Sequence, residues 1–299
     1  MRASAATVAS RLRSPLNRRF TTEQVRIVTD STADIPEELA RELGIVVVPL
    51  RINFGNQTYR DGIEISKAEF YRRLKNGEQP TTTAVTAAEF EAIYRGLAPA
   101  PIVSVHVSST MSATYGAAVL ASRSVTETRV IPFDSHSVTF CTGWLAVVAA
   151  RAAQSGATVD EVARLVEERI PRLRLVAVLS TLEYARRGGR IGGASAFLGS
   201  LLNIKPLITV RDGQVLALEK VRTFGRAVQR LAEIAEEMAP FEYLAVAHAQ
   251  NEEAALGLTN LLSTRYPREQ ILTVDLGPTM GTHTGPGVIA FCGVAGAGG

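Results

Sequence analysis

From residue 25 to about residue 171 the chain repeats one pattern: a short β-branched run, a polar turn, then a capped helical segment. That alternation admits little besides a parallel sheet with helices on its faces, because parallel strands need a crossover and a helix supplies it. The runs at 25–29, 45–54, 102–107 and 129–133 read as strands. Helices are expected at 36–43, with Pro36 in the first turn and Gly44 just past the end, and at 114–122 and 143–154. Ser66 with Glu69, Thr86 with Glu89 and Thr158 with Glu161 spell three capping boxes, each opening a helix, the last ending before Pro171.

Beyond Pro171 the pattern changes. Strands are expected at 175–179, 207–210, 215–218, 243–247, 271–276 and 288–294, with helices at 225–238 and 252–265. Asp212-Gly213 between two of those strands signals a hairpin. The expectation is therefore an α/β fold of two domains. A disordered extension at 1–24 precedes an N-terminal parallel-sheet α/β domain over 25–172 and a C-terminal mixed α+β domain over 173–299.

Charge at first suggests nucleic acid, since 32 basic against 29 acidic residues give a net +3. Arg2, Arg11, Arg13, Arg18 and Arg19 all lie in the first 22 residues, which contain no acid; the rest carries 27 basic against 29 acidic residues. With one Trp and no aromatics set among lysines, no RNA- or DNA-binding surface is expected. The Ala/Ser/Arg-rich start fits a transit peptide, an unstructured tail or a start codon placed too far upstream. No apolar run approaches the ~18 residues of a membrane span; the nearest, 144–153, is broken by Arg151. Cys141 and Cys292 cannot form a disulfide framework and have no metal-site spacing, so a reducing, cytoplasmic setting is expected.

Generic catalytic signatures fail. There is no G-x-S-x-G elbow and no Walker A lysine. Gly285-Pro-Gly287-Val-Ile-Ala290 matches a dinucleotide spelling, but only nine residues follow and none is acidic. His106, His136, His248 and His283 show no metal spacing, and no cofactor is expected. What remains is a set of small polar loops just after strands: 29–32, 81–83, 108–112, 134–135 and 281–287. Beyond the carboxyl ends of strands, hydroxyls and helix N-terminal N–H groups can hold an anion without a metal. Singly, each loop is as well read as a cap or an Asx/ST turn, the natural reading of Asp30 and Asp134. His283, between two threonines among glycines, is placed to donate to a carboxylate or to a hydroxyl that does.

These residues carry a family likeness. VRIVTDST at 25–32, PTTTAVT at 80–86, SSTMSATY at 108–115, LEYARRGGRIG at 182–192, Lys205-Pro206 and GTHTGPG at 281–287 resemble the DegV family in order and spacing. The resemblance implies two domains holding one long-chain fatty acid between them. It also implies a non-catalytic role, as acyl carrier for a separate fatty acid kinase subunit that phosphorylates the bound carboxylate. By it, Thr82 and Ser112 are the carboxylate contacts, His283 supports them, and Thr83, Ala113 and Thr284 flank them; Arg222 is the residue facing the kinase. Ala113 stands where the family has Gly, so a need for positive φ there would displace the head group.

Two other readings are open. One is a hydrolase or acyl transferase using Ser112 or Ser135 with His283 and Asp30 or Asp134. The other is an interaction protein whose best features are Arg222 and the arginines of 186–190, a run that also reads as a solvated turn.

Overall fold

The structure is a computed structural model that describes residues 24–199 and 204–297. The arginine-rich start lies outside the described residues. Four strands form a parallel sheet in the order β2-β1-β6-β7: β1 (Arg26–Asp30), β2 (Val46–Val48), β6 (Ile102–His106) and β7 (Val130–Asp134). Helix α1 (Glu37–Leu43) connects the first pair, ending at Gly44 in the left-handed region (φ 65°) as read from the sequence.

The run at 45–54 does not stay one strand. Proline at 49 lacks an N–H to donate, and the chain leaves the first sheet there for a second, antiparallel one. That sheet has the order β4-β3-β5, from β3 (Arg51–Phe54), β4 (Gln57–Arg60) and β5 (Pro80–Thr83). The threonines at 81–83, expected in a loop, are therefore strand residues facing β3. Between β4 and β5 lies α2 (Lys67–Lys75), where Ser66 accepts the Glu69 N–H. Both Thr86, before α3 (Ala87–Leu97), and Thr158, before α6 (Val159–Arg169), form complete capping boxes. Helix α4 (Thr114–Ser124) follows β6 and packs on α3.

Helix α5 (Phe140–Gln154) is buried along almost its whole length. Its apolar residues run all round because it lies between the first sheet and a third one, not on an outer face. Trp144 donates its indole N–H to the Cys292 carbonyl at 3.1 Å, tying the two halves together.

The third sheet is mixed, in the order β10-β9-β8-β13-β11-β12. Its strands are β8 (Leu173–Val178), β9 (Lys205–Arg211), β10 (Gln214–Val221), β11 (Phe241–His248), β12 (Ile271–Asp275) and β13 (Ile289–Ala295), with the short helix α7 (Glu183–Arg187) between β8 and β9. Asp212 and Gly213 turn the β9–β10 hairpin with φ of 50° and 77°, the conformation that Asp-Gly favours. Alternation divides its side chains cleanly. Val176, Val178, Leu207, Val246, Ile289 and Phe291 pack under α8 (Phe224–Glu237) and α9 (Glu252–Leu262). Leu175, Ala177, Ile208, Ala247 and Ala290 face the N-terminal half. This is a two-domain α/β fold, with a parallel-sheet N-terminal part and a mixed-sheet C-terminal part.

Candidate functional site

The C-terminal sheet presents alanines where a tightly packed face would carry Val or Leu. Ala177, Ala247 and Ala290 leave an apolar cavity between the sheets, walled also by Leu50, Val107, Met111, Leu175, Ile208 and Val288. Its polar lining includes Thr82, Ser112, His283, Thr284 and Arg190. A ligand that fits such a lining is mostly hydrocarbon with a small polar end.

Thr82 comes from β5, where strand alternation turns it inward. Its neighbour Thr83 faces the other way, is exposed, and accepts from Asn53 Nδ2 at 2.9 Å. Thr83 thus stands apart from the cavity, contrary to its expected place beside Thr82. His283 lies in the last turn of a short helix, α10 (Pro278–Thr284), and not in a loop as its glycine-rich surroundings suggested. Thr284 lines the cavity and donates to the Met280 carbonyl at 3.0 Å. Ser112 precedes α4, accepts the Thr114 N–H at 3.3 Å and lies 2.9 Å from its hydroxyl. Ala113 has φ −73° and ψ −3°, an ordinary right-handed conformation, so its methyl carries no backbone cost.

Thr82 Oγ1 and His283 Nε2 are 2.9 Å apart, joining two strands of sequence 201 residues apart. Burial and the nearby Arg190 guanidinium push His283 down to about 4, so the ring is neutral at pH 7. Its Nδ1 is buried without a partner, packed where a Cβ on Gly188 would come within 2.2 Å. An unpaired N–H costs more there than a bare lone pair. The favoured tautomer carries the proton on Nε2 and donates it to Thr82, which frees the Thr82 hydroxyl hydrogen for an anion in the cavity.

Arg190 enters the sequence reading only with the arginines of 186–190, as a partner-facing run or a solvated turn, and not as a residue of the head-group site. Its Nε donates to the Met111 carbonyl at 3.0 Å, next to Ser112, and its side chain borders the cavity. On the far side of Thr82 and His283 a second, polar cleft is lined by Gln79, Thr81, Tyr184, Arg187 and Arg190. Arg222 lies elsewhere, exposed between β10 and α8.

The remaining polar loops are occupied structurally. Asp30 accepts from His106 Nδ1 at 3.0 Å, and His106 Nε2 meets Ser104 at 2.6 Å, all fully buried. This Ser–His–Asp chain opens on neither pocket, so it locks β1 to β6. Asp134 accepts the Ser109 and His136 N–H groups. Ser135 pairs with Thr142 at 2.9 Å. Ser108 and Thr110 seat the hairpin tip by donating to the Gly213 carbonyl. The Ser–His–Asp combinations expected of a hydrolase are not assembled at hydrogen-bond distance among the described residues. No group of three or more His, Cys, Asp or Glu able to hold a metal is found there either.

A DegV family model matches residues 24–295. Protein DegV of Bacillus subtilis is 34% identical over 276 residues, spanning 90% of this chain and 98% of that protein. A DegV domain-containing protein of Streptomyces coelicolor is 38% identical over 273 residues, spanning 89% and 96%. Among solved structures, a fatty-acid-binding DegV family protein from Thermus thermophilus superposes with a TM-score of 0.84 at 31% identity, covering 91% of this chain and 99% of that one. DegV of Bacillus subtilis, described as a fatty acid binding protein, gives 0.82 at 33% identity, covering 92% and 100%. The chain belongs to the DegV family.

Proposed function

We propose that the chain binds one long-chain fatty acid in the apolar cavity between its two domains and performs no chemistry on it. The carboxylate lies against Thr82, Ser112 and Arg190, with His283 holding Thr82 in its donating orientation and Ala113 and Thr284 at the margin. In this reading the chain is a cytoplasmic acyl carrier. A separate fatty acid kinase subunit, docking at Arg222, approaches the carboxylate through the polar cleft to form the acyl phosphate.

The observation that carries the reading is the make-up of the cavity: a mostly hydrocarbon lining that also holds the hydrogen-bonded Thr82–His283 pair. Burying about a dozen methylenes contributes on the order of 10 kcal/mol before association costs. The head group then needs only a few hydrogen bonds, each ~1.5–3 kcal/mol to a charged acceptor. Relatives described as fatty acid binding proteins support the same ligand class. Of the helices in the described residues none is long and apolar enough to cross a membrane.

Replacing Thr82 and Ser112 together by Ala is expected to weaken oleate or palmitate binding by roughly 100-fold, the loss of two such bonds. Titration of the delipidated protein measures it; undiminished binding removes both residues from the head group. Arg222→Ala is expected to leave lipid affinity unchanged and to slow kinase-dependent acyl phosphate formation about tenfold or more. Equal loss of both would contradict that division.

A further inference from the structure

The helix that carries His283 belongs in sequence to the second half of the chain, yet side chains of the first half fix its N-terminus. Asp34 Oδ1 accepts the Gly277 N–H at 2.8 Å, and its Oδ2 accepts the Thr139 hydroxyl at 2.7 Å. Asp61, 5% exposed, accepts the Thr279 hydroxyl at 2.5 Å and the Thr279 N–H at 3.3 Å. A Cβ on Gly277 would lie 3.3 Å from Asp34 Oδ1 and 3.7 Å from Asp61 Oδ1, so both carboxyls close on one glycine. Further along α10, Gly281 lies on the rings of Phe70 and Tyr71, where a Cβ would come within 2.7 Å of each.

The backbone at this contact is strained. Asp34 has φ 50°, and Thr139 has φ 50° with ψ −145°, a region that β-branched residues avoid. Such conformations persist where their surroundings impose them, and they collect at functional sites. Thr139 and Thr279, the hydroxyls that the two acids hold, both line the cavity. Neither acid does.

We propose that Asp34 and Asp61 are positioning residues for the head-group site, a carboxyl pair that pins the start of α10 and so sets where His283 meets Thr82. The assignment rests on the fatty-acid reading above. The charged and titratable groups around the pair are Lys67, Asp275, Tyr71, His248 and Cys292. Lys67 is engaged with Asp275 at 3.3 Å. Burial pushes Tyr71 up and His248 down, and a hydrogen bond with Cys141 together with burial pushes Cys292 up, which leaves those three neutral between about pH 7 and 9. Burial also raises Asp61, and pushes Asp34 up to about 7, with the Asp61 charge adding to it. A carboxyl whose folded pKa lies above its free value favours the docked state when protonated. The clamp is therefore strongest at low pH and loosens as pH rises through about 7.

The test is oleate affinity of the full chain at about pH 6 and about pH 9. Asp34→Ala and Asp61→Ala, checked for folding by circular dichroism, are expected to bind about tenfold more weakly or worse. Asp34→Asn keeps an acceptor for Gly277 without a charge, and is expected to match the wild type at the lower pH. The ratio of wild-type to Asp34→Asn dissociation constants, in which the ligand's own ionisation cancels, is expected to rise about tenfold by the higher pH. A ratio that stays at one overturns the proposal, as does wild-type affinity in both alanine variants. A wild-type chain that binds oleate at neither pH overturns the fatty-acid reading and the clamp with it.

Discussion

Ala177→Phe is expected to fold and to lose its fatty acid. Ala177 is 5% exposed on β8, registered between Ile208 and Ala290, and its methyl faces the cavity. A phenyl ring there extends into open space and not into packed neighbours, so overpacking strain is small compared with a filled core. It displaces about four methylenes of ligand, ~3 kcal/mol or about 100-fold in affinity. The head-group residues stay untouched, which separates this loss from that of the Thr82 and Ser112 variant. Titration with oleate and a thermal melt measure both halves of the expectation. A stable Ala177→Phe chain with undiminished affinity would place the acyl chain outside this cavity.

Gly285→Ala is expected to destabilise the protein by about 3 kcal/mol or more. Gly285 ends α10 with φ 69° and ψ −179°, a conformation open essentially only to glycine. A Cβ would also lie 2.2 Å from the Tyr184 ring. Backbone strain and clash act on the same residue, two positions after His283. The urea midpoint measures the effect, and a loss below about 1 kcal/mol would contradict this account of the turn. Because Tyr184 and Gly188 pack together on this end of α10, the variant is also expected to weaken lipid binding.

The order of strands and helices was legible because local patterns and tertiary structure agree: Gly44 ends its helix, Asp212-Gly213 turns its hairpin, and two threonines cap as spelled. Legibility failed where tertiary contacts override local preference. Pro278–Thr284 contains a glycine and three threonines, a poor helix by propensity, and it is helical because Asp34, Asp61 and the Phe70–Tyr71 rings hold it. The facing of Thr82 and Thr83 depends on recognising β5, a four-residue strand of one proline and three threonines. Arg190 reads as a solvated turn residue, and it is indeed exposed; what the sequence does not show is that its Nε donates to the Met111 carbonyl at the border of the cavity. The cavity has no local sequence signature, since an alanine on a strand says only that space was left, not what fills it.

The most direct test of the account is mass spectrometry of the purified full chain, first under native conditions and then after solvent extraction. One long-chain fatty acid per chain, released on extraction and restored by adding oleate or palmitate, is the result predicted. A chain that is empty as purified and takes up neither acid would contradict the central claim.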